Sequence, residues 1–159
     1  MKIKPLSFGE KLSFGAGDVA NCITFGFTAA YLSYYYTDII GISVAAVGFI
    51  LGVARILEAF ANIGTGIAID RTDTRWGKTK PFLYTTTIPL MLFFFLMLMV
   101  PDLSMTGMTI FAFVTYLTFC LLYAVNNTAY GTLLSMMTGD VHREEASTIL
   151  NSLELVWEM

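Results

Sequence analysis

Charge is scarce in this chain of 159 residues. Charged residues make up 13% of the sequence and hydrophobic residues 56%, whereas soluble domains carry roughly 25% charged residues. A small soluble domain has too little interior to bury so much apolar surface. The sequence also has only two cysteines and one histidine, which argues against a disulfide framework and a His-rich metal site. The composition therefore favours a lipid bilayer over water as the solvent.

The absence of chemical motifs limits the function further. The formal net charge is −3, and no basic patch of the size that nucleic acid requires is present. The sequence has no paired nucleophile and base, no metal-ligand cluster and no glycine-rich phosphate loop. We therefore expect neither an enzyme nor a nucleic-acid-binding protein, and we expect no cofactor.

Long apolar runs are what the sequence does contain. A membrane-spanning helix needs about 20 mostly apolar residues, and the chain has four such stretches and the beginning of a fifth. They predict an all-α membrane protein that ends within an element. We therefore expect a fragment of a longer chain, with the lipid bilayer and the remaining helices as partners. The predicted helices cover residues 17–36, 45–69, 82–100 and 108–137, with an incomplete fifth over 146–159.

The positive charges predict the orientation of the chain in the membrane. Every Lys and Arg outside the predicted spans lies before the first helix, between the second and third, or between the fourth and fifth. These segments share one side, and an excess of Lys and Arg marks the cytoplasmic side. We expect a multi-pass protein of the plasma or inner membrane with a cytoplasmic N-terminus. Where the first helix leaves the membrane, we interpret Tyr34, Tyr35 and Tyr36 as an interfacial aromatic belt.

Polar residues inside the predicted spans repeat at helical spacing. In the second helix, Arg55, Glu58 and Asn62 are separated by steps of 3 and 4 and share one face. A charge within a span costs about 2.5–3.5 kcal/mol on insertion and usually faces protein or a water-filled cavity. The first and fourth helices have similar stripes, so together the three predict a shared aqueous cavity. Those stripes are Asp18, Asn21, Thr24 and Thr28, and Tyr123, Asn127 and Tyr130.

Glu58 has two open interpretations. A carboxylate in mid-membrane can bind a cation or carry a proton. Alternatively, Glu58 and its i−3 neighbour Arg55 form a local ion pair that allows both charges to be inserted. The polar stripes can also be explained as hydrogen bonds that hold helices together. We favour that explanation for Thr24, Thr65 and Asn126.

The most specific stretch is the loop from Asp70 to Phe82, which follows Gly66 and contains Arg-Trp-Gly-Lys-Thr-Lys-Pro. It resembles the loop motif between helices two and three of the major facilitator superfamily. Its form is similar to that of the glycoside–pentoside–hexuronide cation symporters, the group of the melibiose carrier. Other stretches resemble the same group in the same order, so the resemblance covers nearly the whole chain: Lys11–Asn21, Tyr34–Ser43 and Ala54–Ala59.

This resemblance implies a fold and a function. The family has twelve helices in two halves, with alternating access about a site in mid-membrane, and this chain matches the first four helices and part of the fifth. The resemblance implies symport of a sugar or glycoside with H⁺ or Na⁺. The alternatives are a transporter of another organic solute, such as a lysolipid, and a non-transporting membrane fragment or scaffold.

The cation site of the family is altered in this sequence. The first acid that the family offers from helix two is matched by Glu58, but its asparagine falls on Ala61 and its second acid on Asn62. A helix-four threonine is replaced by Ala124. One formal negative charge remains, whereas sodium favours several oxygen ligands and a proton needs one titratable group. We predict that Glu58 and Asn62 form the coupling site.

The sugar site is altered as well. The helix-four acid of the family falls on Asn127 and its nearby tryptophan on Gly131, while the helix-one Lys-Asp pair falls on Asn21 and Cys22. Asparagine can hydrogen-bond hydroxyl groups, but melibiose itself is not the expected solute. Asp18 is a predicted solute-binding residue for which there is an alternative, namely a helix-start residue that complements the helix dipole. The predicted solute-binding residues are Asp18, Asn21, Tyr123 and Asn127.

The basic loop is a predicted gate. Its acid at a helix end and its basic side chains can make charge-assisted bonds to neighbouring helix ends. The resemblance implies that these bonds latch the outward-open state and break when the inner gate opens. The alternative is topology alone, since basic loops are retained on the cytoplasmic side in any case. The motif comprises Gly66, Asp70, Arg71, Arg75, Gly77 and Lys78.

Overall fold

The computed structural model describes residues 8–75 and 77–158, with side chains from residue 15 to residue 133 except those of Asp18, Ala29 and Trp76. The described residues form helices and no strand, which confirms the predicted all-α fold. The elements are α1 Phe8–Tyr34, a π-helical turn Tyr35–Ile39, α2 Val44–Arg71, α3 Lys80–Leu98 and α4 Met105–Glu158.

Three helices of the described part are long and apolar enough to cross a membrane. They are Val44–Arg71, Lys80–Leu98 and Met105–Leu133, with mean hydropathies of 1.9, 1.8 and 2.0. The most apolar stretches of α2 and α3 are each only 17% buried, as expected of helices that present their outer surfaces to lipid or to further helices. Helix α1 has 27 residues and is not among these three, so its crossing of the membrane stays a prediction.

The structure differs from the predicted helix boundaries most clearly in α4. The sequence predicts a fourth helix that ends near residue 137 and a loop over 139–145, whereas α4 runs without a break from Met105 to Glu158. Gly139 is the one strong helix breaker in that segment. A single glycine costs a helix only about 1 kcal/mol, and the charged residues that follow it are compatible with a helix.

Local sequence signals account for the starts of α2 and α3. The hydroxyl of Ser43 accepts a hydrogen bond from the backbone N–H of Ala46 (3.3 Å) and so caps the first turn of α2. Gly41, just before this cap, has a φ of +81°, which glycine adopts without steric strain. Proline lies in the first turn of α3 at Pro81, where its missing N–H would have no helical partner.

Helix α4 is the centre of the described bundle, because it packs along both α2 and α3. A polar contact fixes its position against α3. The buried side chain of Asn126 donates hydrogen bonds from Nδ2 to the hydroxyls of Thr86 (3.1 Å) and Thr87 (3.2 Å). This confirms that Asn126 holds helices together.

The tyrosine cluster after α1 packs inside the protein more than the sequence suggests. Tyr36 is fully buried and Tyr34 is exposed, so the interpretation as an interfacial belt is wrong for Tyr36. Its hydroxyl donates to the carbonyl oxygen of Met97 (3.1 Å), and that of Tyr35 donates to the carbonyl oxygen of Leu98 (2.6 Å). Because α3 ends at Leu98, these carbonyls lack helical partners, and the two tyrosines satisfy them.

Candidate functional site

A partly buried ion pair lies where α1, α2 and α4 meet. Nη1 of Arg55 is 2.8 Å from Oε2 of Glu58, three positions further along α2. The Glu58 side chain is 12% exposed and that of Arg55 is 41% exposed. It is the single ion pair among the side chains that the structure describes. The local ion pair considered from the sequence is therefore present, with its carboxylate on the inner side.

An aromatic ring on α1 contacts the cation of this pair. The guanidinium carbon of Arg55 lies over the ring of Phe25 on α1, 4.6 Å from its centroid. Phe25 is also stacked on Tyr123 of α4, with centroids 5.7 Å apart and an interplanar angle of 26°. Sequence reasoning missed Phe25, although it lies four positions after Asn21 and therefore on the polar face of α1.

Asn62 is joined to α4 by a hydrogen bond. The hydroxyl of Thr128 donates to Oδ1 of Asn62 at 2.9 Å. Asn62 follows Glu58 by four positions, so the two side chains lie one turn apart on the same face of α2. Thr128 was not predicted as a site residue, because a threonine in an apolar helix commonly bonds only to its own backbone.

The predicted solute-binding residues differ in their surroundings. Tyr123 is buried beside Phe25, Asn21 is half-buried, and Asn127 is exposed. The described contacts join Tyr123 to the ion-pair region but show no bond between Asn21 and Asn127. The side chain of Asp18 lies outside the described residues. These four assignments stay predictions.

Helices α1 and α4 approach closely at the end of the bundle where α1 carries Gly17. A Cβ atom at this position would collide with the phenol ring of Tyr130. A larger residue at this position would force the Tyr130 side chain or the helix to shift, and the contact brings the predicted polar stripes of α1 and α4 together.

The basic loop forms a tight turn. The backbone N–H of Gly77 donates to the carbonyl oxygen of Thr74 (3.0 Å), and Gly77 has a φ of +94°. Nζ of Lys78 reaches back to the carbonyl oxygen of Asp70 at the end of α2, 3.5 Å away. The glycine of the motif thus permits the turn that returns its lysine to the helix end.

The remaining charges of the loop point away from the described bundle. The side chains of Asp70, Arg71 and Arg75 are exposed and form no ion pair within the described residues. Nothing in the described part comes within 4 Å of a Cβ built at Gly66. The latch function assigned to this motif stays a prediction.

Metal-binding side chains are not clustered in the described part of the chain. Within the described residues there is no group of three or more His, Cys, Asp or Glu side chains that could hold a metal ion. Neither Cys22 nor Cys120 forms a disulfide bond within the described residues. Among the described side chains around the ion pair, Glu58 supplies the one carboxylate, and the other oxygen atoms nearby are neutral.

Apolar helices around a partly buried ion pair and a polar seam define an integral membrane protein of the helix-bundle class. A sequence profile of the family described as MFS/sugar transport protein matches residues 13–150. The chain belongs to this family, within the glycoside–pentoside–hexuronide cation symporter group that its loop motif indicates.

Curated relatives agree with this assignment. The chain is 40% identical over 140 residues to the inner membrane symporter YicJ of Escherichia coli K12, covering 88% of this chain and 30% of that protein. It is 40% identical over 134 residues to the glucuronide carrier protein homolog of the same organism, covering 84% and 29%. It is 39% identical over 134 residues to the isoprimeverose transporter of Lactiplantibacillus pentosus, covering 84% and 28%. The chain thus spans about 30% of the length of these relatives.

Proposed function

We propose that this chain is the N-terminal part of a secondary active transporter that couples the movement of a sugar or glycoside to a cation by alternating access. Membership of the family and the names of its relatives support transport of a small solute. The remaining helices of the full-length protein would complete the cavity. In this function the bilayer and the solute are the partners of the chain.

The observation that carries the proposal is the position of Glu58. Its carboxylate is buried within a spanning helix, next to a single cation, in the seam between three helices. A charge in such a place is costly unless it is paired. We infer that Glu58 binds the coupling ion in one state of the transport cycle and pairs with Arg55 in another.

The coupling ion follows from the ligands available. Asn62 contributes no charge, and its Oδ1 is engaged by the hydroxyl of Thr128. Sodium favours several oxygen ligands, whereas a proton needs only one titratable group. The arrangement therefore favours H⁺ over Na⁺, and Glu58 would be the group that carries it.

The solute would lie beside the ion site. Tyr123 offers an aromatic face and a hydroxyl close to Phe25, and Asn127 is exposed on the same helix. Aromatic faces pack against the apolar side of sugar rings, and amides bond to hydroxyl groups. We propose that Asn21 and Asn127 bond the solute while Tyr123 packs against it.

The orientation completes the mechanism. We place the N-terminus and the loop between α2 and α3 in the cytoplasm, because the loop concentrates Arg and Lys. The exposed charges of Asp70, Arg71 and Arg75 are then available to helix ends of the second half of the transporter. Their bonds would hold the inner gate closed while the cavity faces outward.

The test is a Glu58→Gln substitution in the full-length transporter, reconstituted in vesicles. Uptake of a panel of sugars and glycosides would be measured with sodium and pH varied independently. We expect Glu58→Gln to abolish accumulation against a gradient and to leave solute exchange measurable, because only the coupled steps require the carboxylate. Asp38→Asn is the matched control, since Asp38 is exposed outside the described spans. Unchanged accumulation in Glu58→Gln would refute the coupling role.

A further inference from the structure

The side chain of Arg55 is held from two sides. One restraint is the ion pair with Glu58 on its own helix, and the other is the ring of Phe25 on α1. A guanidinium group has five N–H donors, and within the described residues the ion pair with Glu58 is its only hydrogen bond. With a side chain 41% exposed, Arg55 would have considerable freedom if the ring were absent.

The ring of Phe25 is itself fixed in place. It stacks on Tyr123, which in turn stacks on Phe119 with centroids 6.0 Å apart. Phe119 and Tyr123 are both buried in α4. The stack therefore connects the central helix of the bundle to the cation on α2, and α1 contributes the ring between them.

We propose that Phe25 is a positioning residue that holds Arg55 on Glu58 and thereby sets how strongly the coupling ion must compete for the Glu58 carboxylate. This inference rests on the proposed function, in which Glu58 accepts the ion. The attraction of a cation to the face of an aromatic ring supplies the restraint. A phenylalanine in an apolar helix thus has a function that its residue type does not suggest.

Arg55 and the coupling ion compete for the Glu58 carboxylate. When the ion binds Glu58, the guanidinium of Arg55 has to move away from the carboxylate. Breaking its contact with the Phe25 ring is part of the free-energy cost of that step. A weaker contact between Arg55 and the ring lowers this free-energy cost by the same amount, so the ion binds more tightly. Among the described side chains, the other titratable groups near the pair are on α4, where Tyr116 and Cys120 interact electrostatically with Arg55 and Glu58 and Tyr123 stacks on Phe25.

The experiment uses the full-length transporter in proteoliposomes. Sodium is titrated at fixed pH with choline as replacement, and protons are titrated in sodium-free buffer by varying the pH. The half-saturating concentration of the ion that drives uptake is compared for Phe25→Leu, for Phe25→Tyr, and for a ring-fluorinated phenylalanine at position 25. The fluorinated ring keeps the shape and weakens the attraction for a cation, so it separates the electrostatic contact from folding.

Phe27→Leu is the matched control on the same helix. Phe27 is 41% exposed and Phe25 39% exposed, but Phe27 contacts Tyr31 and Phe94 and has no described contact with Arg55. Its substitution removes a ring of the same size and exposure without touching the ion pair.

We expect the half-saturating ion concentration to fall about two- to fivefold in Phe25→Leu and in the fluorinated variant. The maximal rate should stay the same. Phe25→Tyr should match the starting protein, as should Phe27→Leu, and Phe25→Leu should have no further effect when Arg55→Gln is already present.

Two results would overturn the inference. One is an unchanged or higher half-saturating concentration in the fluorinated variant, and the other is an effect of Phe25→Leu that persists without Arg55. The proposed function fails by a different result, namely ion-dependent accumulation that survives Glu58→Gln. The two failures are therefore distinguishable in the same assay.

Discussion

The hydroxyl of Thr128 on α4 donates a hydrogen bond to Oδ1 of Asn62 on α2, at a distance of 2.9 Å. This bond lies one turn from Glu58, the proposed coupling residue, and joins α2 to the central helix of the bundle. It also uses one of the two lone pairs that Oδ1 of Asn62 could present to a cation. An acid at the same position could accept the same bond and still have oxygen lone pairs to spare.

The first prediction follows from this difference. Asn62→Asp adds a second carboxylate one helical turn from Glu58, and several oxygen ligands favour sodium. We expect sodium to stimulate uptake more strongly in this variant than in the starting protein, measured as the ratio of uptake in sodium to uptake in choline at fixed pH. Asn62→Ser is the control, because it keeps an oxygen without a charge. An equal ratio in the two variants would contradict the prediction.

The second prediction concerns the tyrosines that close α3. Tyr36→Phe removes the bond from the buried hydroxyl to the carbonyl oxygen of Met97. We expect a loss of about 0.5–1.5 kcal/mol in the free energy of unfolding, because the carbonyl is left without its partner. Reversible unfolding of the full-length protein in mixed detergent micelles measures this change.

The control for that measurement is Tyr34→Phe. Tyr34 is 54% exposed, so its substitution should change the free energy of unfolding by less than about 0.5 kcal/mol. Equal losses in the two variants would mean that burial of the hydroxyl does not determine its contribution.

The positions of these tyrosines in the structure show what the sequence could and could not predict. Helices α2 and α3 follow from the length of their apolar runs, and the bounds in the structure, Val44–Arg71 and Lys80–Leu98, lie within two residues of the predicted ones. The burial of Tyr36 depends on where the end of α3 lies in space. No local pattern contains that information, because the residues in contact are about 60 positions apart.

The candidate site divides in the same way. The pair of Arg55 and Glu58 was predictable because both residues lie on one helix at a spacing that allows contact. Phe25 and Thr128 were missed, since each acts across a helix–helix interface and neither residue type is unusual in an apolar helix. Sequence periodicity gives the face of a helix, while the partner on the next helix depends on rotation and depth in the bundle.

The third prediction concerns the close approach of α1 and α4. Gly17→Ala places a methyl group where the phenol of Tyr130 lies, so either the Tyr130 side chain or one of the two helices has to shift. We expect a loss of stability of about 1–3 kcal/mol, as for other overpacked contacts, with a matching fall in the thermal midpoint. Gly26→Ala is the control on the same helix, because nothing in the described part lies within 4 Å of its Cβ position. Equal stability of the two variants would show that the contact between position 17 and Tyr130 relaxes at no cost in free energy.

The last prediction uses two neighbouring asparagines with opposite surroundings. Asn126 is buried and bonds to Thr86 and Thr87, whereas Asn127 is exposed and is a predicted solute ligand. Asn126→Leu should lower the free energy of unfolding by about 0.6–1.7 kcal/mol, the range found for hydrogen bonds between membrane helices. It should leave the apparent affinity for the solute unchanged in the molecules that remain folded.

Asn127→Leu should do the reverse. Its side chain makes no described bond, so stability should stay within about 0.5 kcal/mol of the starting protein. Solute affinity should fall about tenfold, because an amide that bonds a hydroxyl contributes roughly 1.4 kcal/mol. Unfolding titrations and solute competition on the same two preparations measure both effects. Loss of affinity in Asn126→Leu but not in Asn127→Leu would place the solute on the α3 side of α4 and refute the proposed binding residue.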